Sequence, residues 1–492
     1  MSSDLKKSIS KNVAVLAITR IVTWSSTFVL MLFLPRYLGP VEYGRFFLGF
    51  SVVSIFALLI EFGGSYSITK SISRNREMVS HILVDSIAIR IFLWIVSFAA
   101  VVAYGFFAGY HTTVKIVIII FGIGMLWSGA RSVLWSCFRG FEMLKYPSYG
   151  AIAETVFIAV VGISAVLLGL GAIGFAIITT VGTLINFAIC VRYIPKMTTK
   201  LSPVNWNAAF KYLKEGFPYF LNSIFGIIYY RIDVVMLSFM VPESVVGWYG
   251  ASYKFFDALM FIPSIFTIAV FPVLSRLWGE GNKSLGRPLQ KSLDLILLAG
   301  APVSILAFVF SRQIIILFYG LEGYANSILL LRIFSVGLLL VYIDMMLGMV
   351  LLAADKQREI TRNSFVAIFV NIGLNYLFIP YTQTHYGNGG IGAGIATLVT
   401  ELFIMVMMLQ AMPGYILKES SVVVQLKALG ASFLMIAVVY SARSLHLPWF
   451  VQAILGSGIY VTAVYFAKVL EPSEVNLLRS VVKPLQFWKK ET

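Results

Sequence analysis

Charged side chains recur inside long apolar stretches of this 492-residue chain, where each charge needs a partner. In chain order they are Arg20, Glu61, Asp85, Arg90, Arg131, Glu154, Arg231, Asp233, Lys254, Asp257, Arg332, Asp344 and Glu401. A charge at the bilayer centre costs at least about 2.5–3.5 kcal/mol on insertion scales, so we expect these groups to pair or to line a wet cavity. Cations held there can bind an anion, and acids can carry a proton or a sodium ion. The presence of both signs favours a transporter.

Arg20 is the charged residue of the first apolar run. It shares one helical face with Asn12, Thr19, Thr23 and Thr27, because these positions recur at spacings of three, four or seven. The apolar run continues well past Arg20, which places the guanidinium inside the membrane. Two roles stay open for it: contact with a substrate anion, or a structural salt bridge.

The seventh and eighth apolar runs each carry two charges at similar depth. Arg231 and Asp233 are two positions apart, about 200° around an ideal helix, so one of them must face a neighbouring helix unless the helix is kinked. Lys254 and Asp257 share a face at i, i+3. We expect cross-pairing between the two helices, which can also act as a gate.

Four acids are candidates for ion coupling or gating: Asp233, Asp257, Asp344 and Glu401. The sequence leaves open whether they serve H⁺ or Na⁺. We found no motif for a bound metal, a cofactor or catalysis, and no phosphate-binding loop of an ATPase. Transport is therefore expected to draw on an ion gradient, a substrate gradient or downstream consumption of the product.

Fourteen apolar runs are long enough to position these residues across a hydrocarbon core of about 30 Å. Their approximate limits are 12–34, 42–63, 83–107, 114–137, 148–169, 172–194, 217–240, 245–274, 292–311, 325–353, 361–380, 391–412, 422–442 and 449–468. They are too long and too uniformly apolar for the strands of a barrel. The predicted fold is an all-α integral membrane protein with fourteen transmembrane helices.

The charge distribution predicts the orientation of these helices. The chain is 59% hydrophobic and 12% charged, which excludes a large soluble enzyme, and its net charge is +16. Most of the 38 Lys and Arg fall on the N-terminus, the tail and every second connection. By the positive-inside rule we expect both termini to lie in the cytoplasm. We expect the protein itself to lie in the plasma (inner) membrane. Topology thus explains the basic surplus without a nucleic-acid partner.

Two other classes of protein are disfavoured. A membrane glycosyltransferase or polymerase needs an acidic site on a sizeable outer loop, and the predicted outer loops are short; we therefore expect no enzyme. A structural scaffold would be destabilised by so many embedded charges. Cys137 and Cys190 fall in apolar runs and are expected to be small buried residues rather than a disulfide pair.

The chain also contains an internal repeat. The connection at 34–44 and the connection at 240–249 each place a Pro and a Glu shortly before a Gly that opens the next helix. This predicts a six-helix N-terminal lobe over 1–200, a six-helix C-terminal lobe over 201–412, and two additional helices with a cytoplasmic tail over 413–492.

Two stretches resemble the polysaccharide transporter family of the MOP superfamily, which includes flippases for O-antigen and other lipid-linked oligosaccharides. The first is Pro35-Arg36-Tyr37-Leu38-Gly39-Pro40 with Glu42-Tyr43-Gly44, followed by Gly63, Gly64, Lys70 and Arg74. The second runs from Tyr230-Arg231-Ile232-Asp233 through Val246-Gly247-Trp248-Tyr249 to Phe271-Pro272-Val273-Leu274-Ser275. The layout of runs matches this family over nearly the whole chain, and the motifs match over about a fifth of it.

The resemblance implies that two lobes rock about a central cavity and flip a polyprenyl-(pyro)phosphate oligosaccharide to the outer leaflet. The pyrophosphate would then meet cavity cations, for which the candidates are Arg20, Arg90, Arg231, Lys254 and Arg332. The sugars would meet polar and aromatic groups, for which the candidates are Asn222, Tyr229, Tyr230, Asn371 and Asn375. Membrane lipids and other polysaccharide-assembly membrane proteins are the expected partners.

Two related transport functions remain as alternatives. A lipid II flippase of peptidoglycan synthesis differs mainly in the sugar it carries. A cation-coupled multidrug or metabolite antiporter of the same superfamily usually has twelve spans and an acid-dominated cavity. The mixed embedded charge and the fourteen runs favour an anionic, lipid-linked substrate.

Overall fold

The computed structural model describes residues 3–279, 286–412 and 422–467. Within these ranges the chain forms helices joined by short connections, and it contains no strand there. The helices of the first half are α1 (Ser3–Glu61), α2 (Gly64–Arg74), α3 (Val79–Phe107), α4 (Thr112–Gly140), α5 (Lys145–Leu167), α6 (Ala172–Arg192) and α7 (Trp206–Met240). Those of the second half are α8 (Glu243–Leu259), α9 (Phe261–Gly279), α10 (Gly286–Val309), α11 (Ser311–Tyr319), the single turn α12 (Leu321–Tyr324), α13 (Ser327–Ala353), α14 (Gln357–Tyr386), α15 (Gly389–Ala411), α16 (Val422–Ser444) and α17 (Trp449–Phe466).

Twelve helices of the described residues are long and apolar enough to cross a membrane. The prediction of an all-α, multi-span membrane protein is therefore confirmed. Two of the fourteen predicted runs, 12–34 and 245–274, are not among these twelve. Residues 12–34 belong to the part of α1 that precedes the non-helical Gly39, and the second predicted run belongs to the part that follows it. The run 245–274 is divided between α8 and α9.

The kink in α1 lies at Gly39, whose φ of 70° and ψ of 168° are not helical. A side chain there would meet nothing within 4 Å, so the glycine is required by the backbone conformation and not by crowding. Pro35 and Pro40 flank this point. The turn chemistry read from 34–44 thus coincides with the break at Gly39, where one helix ends and the next begins without a gap.

Proline also explains the break between α8 and α9. Pro263 has no N–H to donate to the carbonyl four residues earlier, that of Leu259, where α8 ends. The Tyr342 hydroxyl donates to this free carbonyl at 2.7 Å. Pro302 inside α10 frees the carbonyl of Leu298 in the same way, and Tyr460 donates to it at 3.1 Å. Because lipid offers no donors, such side chains make proline tolerable inside a membrane helix.

Contacts group the chain into two units. The first comprises Met1–Ala258, Ile315–Leu330 and Ser364–Thr400, and the second comprises Leu259–Ile314, Leu331–Asn363 and Glu401–Thr492. In the second unit α10, α16 and α17 share an apolar core that includes Leu298, Met435 and Tyr460. In the first unit Ile68 and Ile72 of α2 pack against Val133 and Cys137 of α4. The segment 64–82, expected to be a loop, therefore begins with a packed helix.

Candidate functional site

The cations that the structure brings together are Arg231 of α7 and Lys254 of α8, in the first unit. Arg231 is 7% exposed, and its guanidinium lies over the rings of Phe47, Phe50 and Tyr230 at 5.9, 5.5 and 5.0 Å. The Lys254 ammonium lies 5.6 Å from the centre of the same Phe50 ring. Phe47 and Phe50 come from α1 after its kink, so three helices build this group. We call Arg231, Lys254 and Phe50 the cation pair site.

The cation pair site retains unused hydrogen-bonding capacity. The Nε and Nη1 atoms of Arg231 are buried and have no hydrogen-bond partner among the described residues. The neighbouring acid, Asp257, interacts electrostatically with Lys254 and accepts a hydrogen bond from the Tyr230 hydroxyl. A buried guanidinium with free N–H groups has a large desolvation cost, which a bound anion would offset.

Asp233 faces a different set of groups from those of Arg231. Its carboxylate accepts hydrogen bonds from the Tyr249 hydroxyl at 2.9 Å, the Asn375 amide at 2.8 Å and the Thr397 hydroxyl at 2.6 Å. Asn371 accepts at 2.7 Å from the same Asn375 amide. Asn375 Oδ1 is buried without a partner among the described residues. This Asp233 cluster joins α7, α8, α14 and α15 around one buried carboxylate.

The predicted opposition of Arg231 and Asp233 around α7 is confirmed, since each faces different helices. The expected cross-pairing takes another form. Asp233 is held by hydroxyl and amide groups rather than by Lys254, and the hydrogen bond that crosses between α7 and α8 near Lys254 joins Tyr230 to Asp257. A charge pattern shows that partners are needed, but neutral donors can satisfy a carboxylate as well as a cation does.

The remaining predicted cations lie in other surroundings. Arg20 is exposed, with its guanidinium 6.0 Å from the Trp24 ring. Arg90 is buried and donates to the backbone carbonyl of Ile60 at 2.8 Å, near the end of α1. Arg332 is exposed in the second unit and donates to Ser311 at 3.0 Å.

The remaining candidates for ion coupling and for sugar contact also lie in different surroundings. In the second unit Asp344 of α13 and Glu401 of α15 are both buried, and their carboxyl groups contact each other. Two carboxyl groups in contact need a shared proton. Tyr229 is half-buried on α7. Asn222 lies in α7, but its side chain is outside the described residues.

Several residues of these sites were not singled out from the sequence. Phe47, Phe50 and Thr397 carry no signal beyond aromatic or hydroxyl character, and their neighbours lie far away in the chain. Tyr249 belonged to a quoted motif and could have been found there. Arg45 lies inside α1 and pairs with Glu42 and Glu243.

Known families and relatives match this chain over most of its length. The family described as polysaccharide biosynthesis protein matches residues 9–278, and the family described as MatE matches residues 218–377. A relative in Escherichia coli strain K12, named "Putative O-antigen transporter", is 23% identical over 416 residues, covering 82% of this chain and 96% of the relative. A Haloferax volcanii relative, named "Probable low-salt glycan biosynthesis flippase Agl15", is 24% identical over 467 residues, covering 91% of this chain and 94% of its own length.

Solved structures show the same fold at low sequence identity. A lipid II flippase MurJ in an inward closed conformation superposes with a TM-score of 0.70 at 16% identity, covering 92% of this chain and 98% of that one. An inward-facing multidrug resistance MATE transporter of the MOP superfamily gives 0.66 at 17% identity, covering 83% of this chain and 100% of its own.

Proposed function

Because this chain belongs to the polysaccharide biosynthesis protein family, which matches it over residues 9–278, we propose that it is a flippase for a polyprenyl-(pyro)phosphate-linked oligosaccharide. It would carry this substrate from the cytoplasmic to the outer leaflet by alternating access, for the assembly of a surface polysaccharide or glycan. The names of the two curated relatives, an O-antigen transporter and a glycan flippase, support the substrate class.

The observation that carries the proposal is the cation pair site. Arg231 and Lys254 provide two positive charges, and Asp257, the acid beside them, is engaged by Tyr230. The site therefore keeps a positive charge and free N–H donors, which suit the oxygens of a phosphate or pyrophosphate. Tyr229 and Tyr230 lie beside Arg231 in sequence, and we assign them to the first sugars.

Binding of polyprenyl pyrophosphate to the purified protein tests the site directly. Arg231→Ala should weaken binding at least about tenfold, because a charge-assisted hydrogen bond contributes about 1.5–3 kcal/mol. Arg332→Ala, which removes an exposed arginine bonded to Ser311, is the matched control and should leave affinity unchanged. Equal affinities of both variants and the unaltered protein would reject the site.

Transport assays separate the proposed substrate from the two alternatives. In proteoliposomes, flipping of a labelled lipid-linked oligosaccharide should exceed flipping of lipid II and uptake of a cationic drug. Faster lipid II flipping would instead favour the peptidoglycan function, to whose flippase the fold is similar. Drug uptake alone would favour the antiporter.

We further propose the full arrangement predicted from the sequence: fourteen transmembrane helices, lobes over 1–200 and 201–412, and two additional helices over 413–492 that accompany the lipid tail. The protein would lie in the plasma (inner) membrane with both termini in the cytoplasm. The basic connections on one predicted side support this orientation.

Asp233 is our candidate for ion coupling. It is a buried carboxylate beside the hydroxyl oxygens of Thr397 and Tyr249, and the adjacent Asn375 has an unbonded Oδ1, so the cluster offers oxygens to a small cation or a proton. Asp233→Asn should abolish the dependence of transport on an imposed Na⁺ or H⁺ gradient. Asp344→Asn is the comparison, and loss of dependence in that variant alone would move coupling to Asp344 and Glu401.

A further inference from the structure

A cavity of about 270 Å³ lies within the first unit, at the end of α7 that is predicted to be outermost. Four parts of the chain line it: α1 after its kink, the connection between α3 and α4, the last turns of α7 and the start of α8. Arg231 and Lys254 do not line this cavity, so it is distinct from the cation pair site. The proposed function leaves it unused.

One wall of the cavity is aromatic. The ring of Phe239 on α7 stacks against Tyr110 of the α3–α4 connection, with 5.6 Å between ring centres and 26° between ring planes. Tyr110 is buried, whereas Phe239 is 56% exposed, so Phe239 keeps a free area of ring surface. The face of an aromatic ring carries negative charge density and attracts C–H groups, which are slightly positive. This wall suits a ligand that has C–H groups on one flat face.

Two polar groups of the cavity can accept hydrogen bonds from a ligand. Ser238 donates to the carbonyl of Val235 at 2.6 Å, so in its contact with Tyr110 at 3.0 Å the Tyr110 hydroxyl is the donor. A hydroxyl has one hydrogen and two lone pairs, so Ser238 Oγ can accept once more. Arg45 donates to one carboxylate oxygen of Glu243, Oε2, at 2.6 Å, and the other oxygen can accept from a ligand.

His111 adds a donor to the cavity. The backbone N–H of Thr113 donates to His111 Nδ1 at 3.2 Å, so in the neutral ring the hydrogen is on Nε2. The imidazole is exposed, and it lines the cavity. The cavity therefore combines an aromatic face, a donor and two acceptors.

This combination selects the chemical class of the ligand. A lipid tail would leave the hydroxyl and the carboxylate without partners, which costs free energy. Glu243 disfavours a phosphate, because like charges repel. Drug-sized molecules occupy pockets of about 300–1,000 Å³, so this cavity suits a smaller ligand. A pyranose ring has C–H groups on one face and hydroxyls that both donate and accept around its edge, and it matches these requirements.

The position of the cavity fits a sugar that travels with a phosphate. Ser238 follows Arg231 by seven residues, so the two lie on one face of α7, about 10 Å apart along its axis. We propose that the cavity is an outer sugar subsite, which binds one neutral hexose of the lipid-linked glycan. The proposal rests on the proposed function, since that function supplies the glycan.

Binding of free sugars to the purified protein tests the subsite without transport. The probes are the methyl glycosides of glucose, galactose, mannose and N-acetylglucosamine, in a detergent that contains no sugar. Saturation-transfer NMR should show transfer to the ring protons of at least one of them. Sorbitol, which has hydroxyls but no ring face, is the comparison and should receive much less. Equal transfer to sorbitol, or none to any glycoside, would overturn the proposal.

Single substitutions locate the bound sugar. Phe239→Ala should reduce the transfer at least about fivefold, because an aromatic contact is lost, and Phe239→Tyr, which keeps a ring, should retain most of it. Phe107→Ala is the matched control, since Phe107 is 91% exposed near the same connection but does not line the cavity. It should give the transfer of the unaltered protein. Equal transfer in Phe239→Ala and Phe107→Ala would reject the subsite.

These results are distinguishable from failure of the proposed function. Glycoside binding that is lost in Phe239→Ala, in a protein that flips no oligosaccharide, would keep the subsite and reject the function. Oligosaccharide flipping by a protein that binds no free glycoside would reject the subsite and keep the function.

Discussion

Two of the buried charges, Arg231 and Asp233, are surrounded by neutral groups. Arg231 lies among aromatic rings, and Asp233 is held by two hydroxyls and an amide. Ring faces attract a cation weakly, by about 0.5–2 kcal/mol, and leave its N–H groups free. The two residues therefore differ: the Asp233 carboxylate already accepts its hydrogen bonds, whereas the Arg231 guanidinium still has N–H groups free to donate.

Tyr249→Phe tests the hydrogen bonds of Asp233. The substitution removes one donor to a buried carboxylate, so unfolding in detergent should cost about 1–3 kcal/mol less free energy. Thermal melting followed by tryptophan fluorescence measures this change. In an Asp233→Asn background the same substitution should lower the free energy of unfolding by a clearly smaller amount. Equal costs in both backgrounds would show that the hydroxyl does not serve the carboxylate.

At the scale of helices, the sequence predicted where the chain crosses the membrane better than where its helices bend. Continuous apolar runs correspond to the long helices because lipid requires internal backbone bonding. The division of 245–274 follows from Pro263, and the carbonyl it frees is capped by a tyrosine far along the chain. Pro263 marks the break in the local sequence, but it does not reveal the distant donor.

Tyr460→Phe tests the proline cap in α10. Loss of the bond to Leu298 should destabilise the protein by about 1–2 kcal/mol. In Pro302→Ala the backbone N–H of residue 302 can bond to the Leu298 carbonyl. Adding Tyr460→Phe should then destabilise the protein much less than it does in the unaltered chain. Melting temperatures of the four proteins form a double-mutant cycle. Strict additivity would show that the tyrosine does not compensate for the proline.

Gly39→Ala isolates the conformational cost of the kink in α1. Because a methyl group there meets nothing within 4 Å, the expected loss of about 1–3 kcal/mol comes from a backbone conformation that only glycine adopts readily. Gly226→Ala is the matched control, since it has equal space in a helical conformation and should be neutral or stabilising. Equal melting temperatures for Gly39→Ala and the parent would contradict this explanation.

For the whole molecule, the sequence identified the fold class and the charged residues but not the groupings between them. Phe50 and Arg231, or Asp233 and Thr397, are joined only by folding, and no local spacing relates them. Arg90 and Arg332 carried the same sequence signal as Arg231. In the structure Arg332 is exposed, and Arg90, which is also buried with an unbonded Nη2, donates to the Ile60 carbonyl. Embedded charge therefore indicates candidates, and packing decides among them.

Cysteine labelling tests the predicted orientation of the molecule. In the background of Cys137→Ala and Cys190→Ala, cysteines at Gly109 and Gly387 should react with an impermeant maleimide added to intact cells. Cysteines at Asn75 and Glu142 should react only after permeabilisation, because the basic connections are cytoplasmic. Labelling of the cysteine at position 75 in intact cells would show that the orientation is opposite to the one predicted.

The hydrogen bond from Tyr460 to Leu298 also has a consequence for biosynthesis. The two residues are 162 positions apart, so at about 5–20 residues per second the donor is made roughly 10–30 s after the acceptor. During that interval α10, which contains Pro302, would lie in the membrane without the donor for the Leu298 carbonyl. A helix made later, α17, thus completes a helix inserted earlier, and a chain truncated before α17 would display this unpaired carbonyl to the quality-control machinery of the membrane.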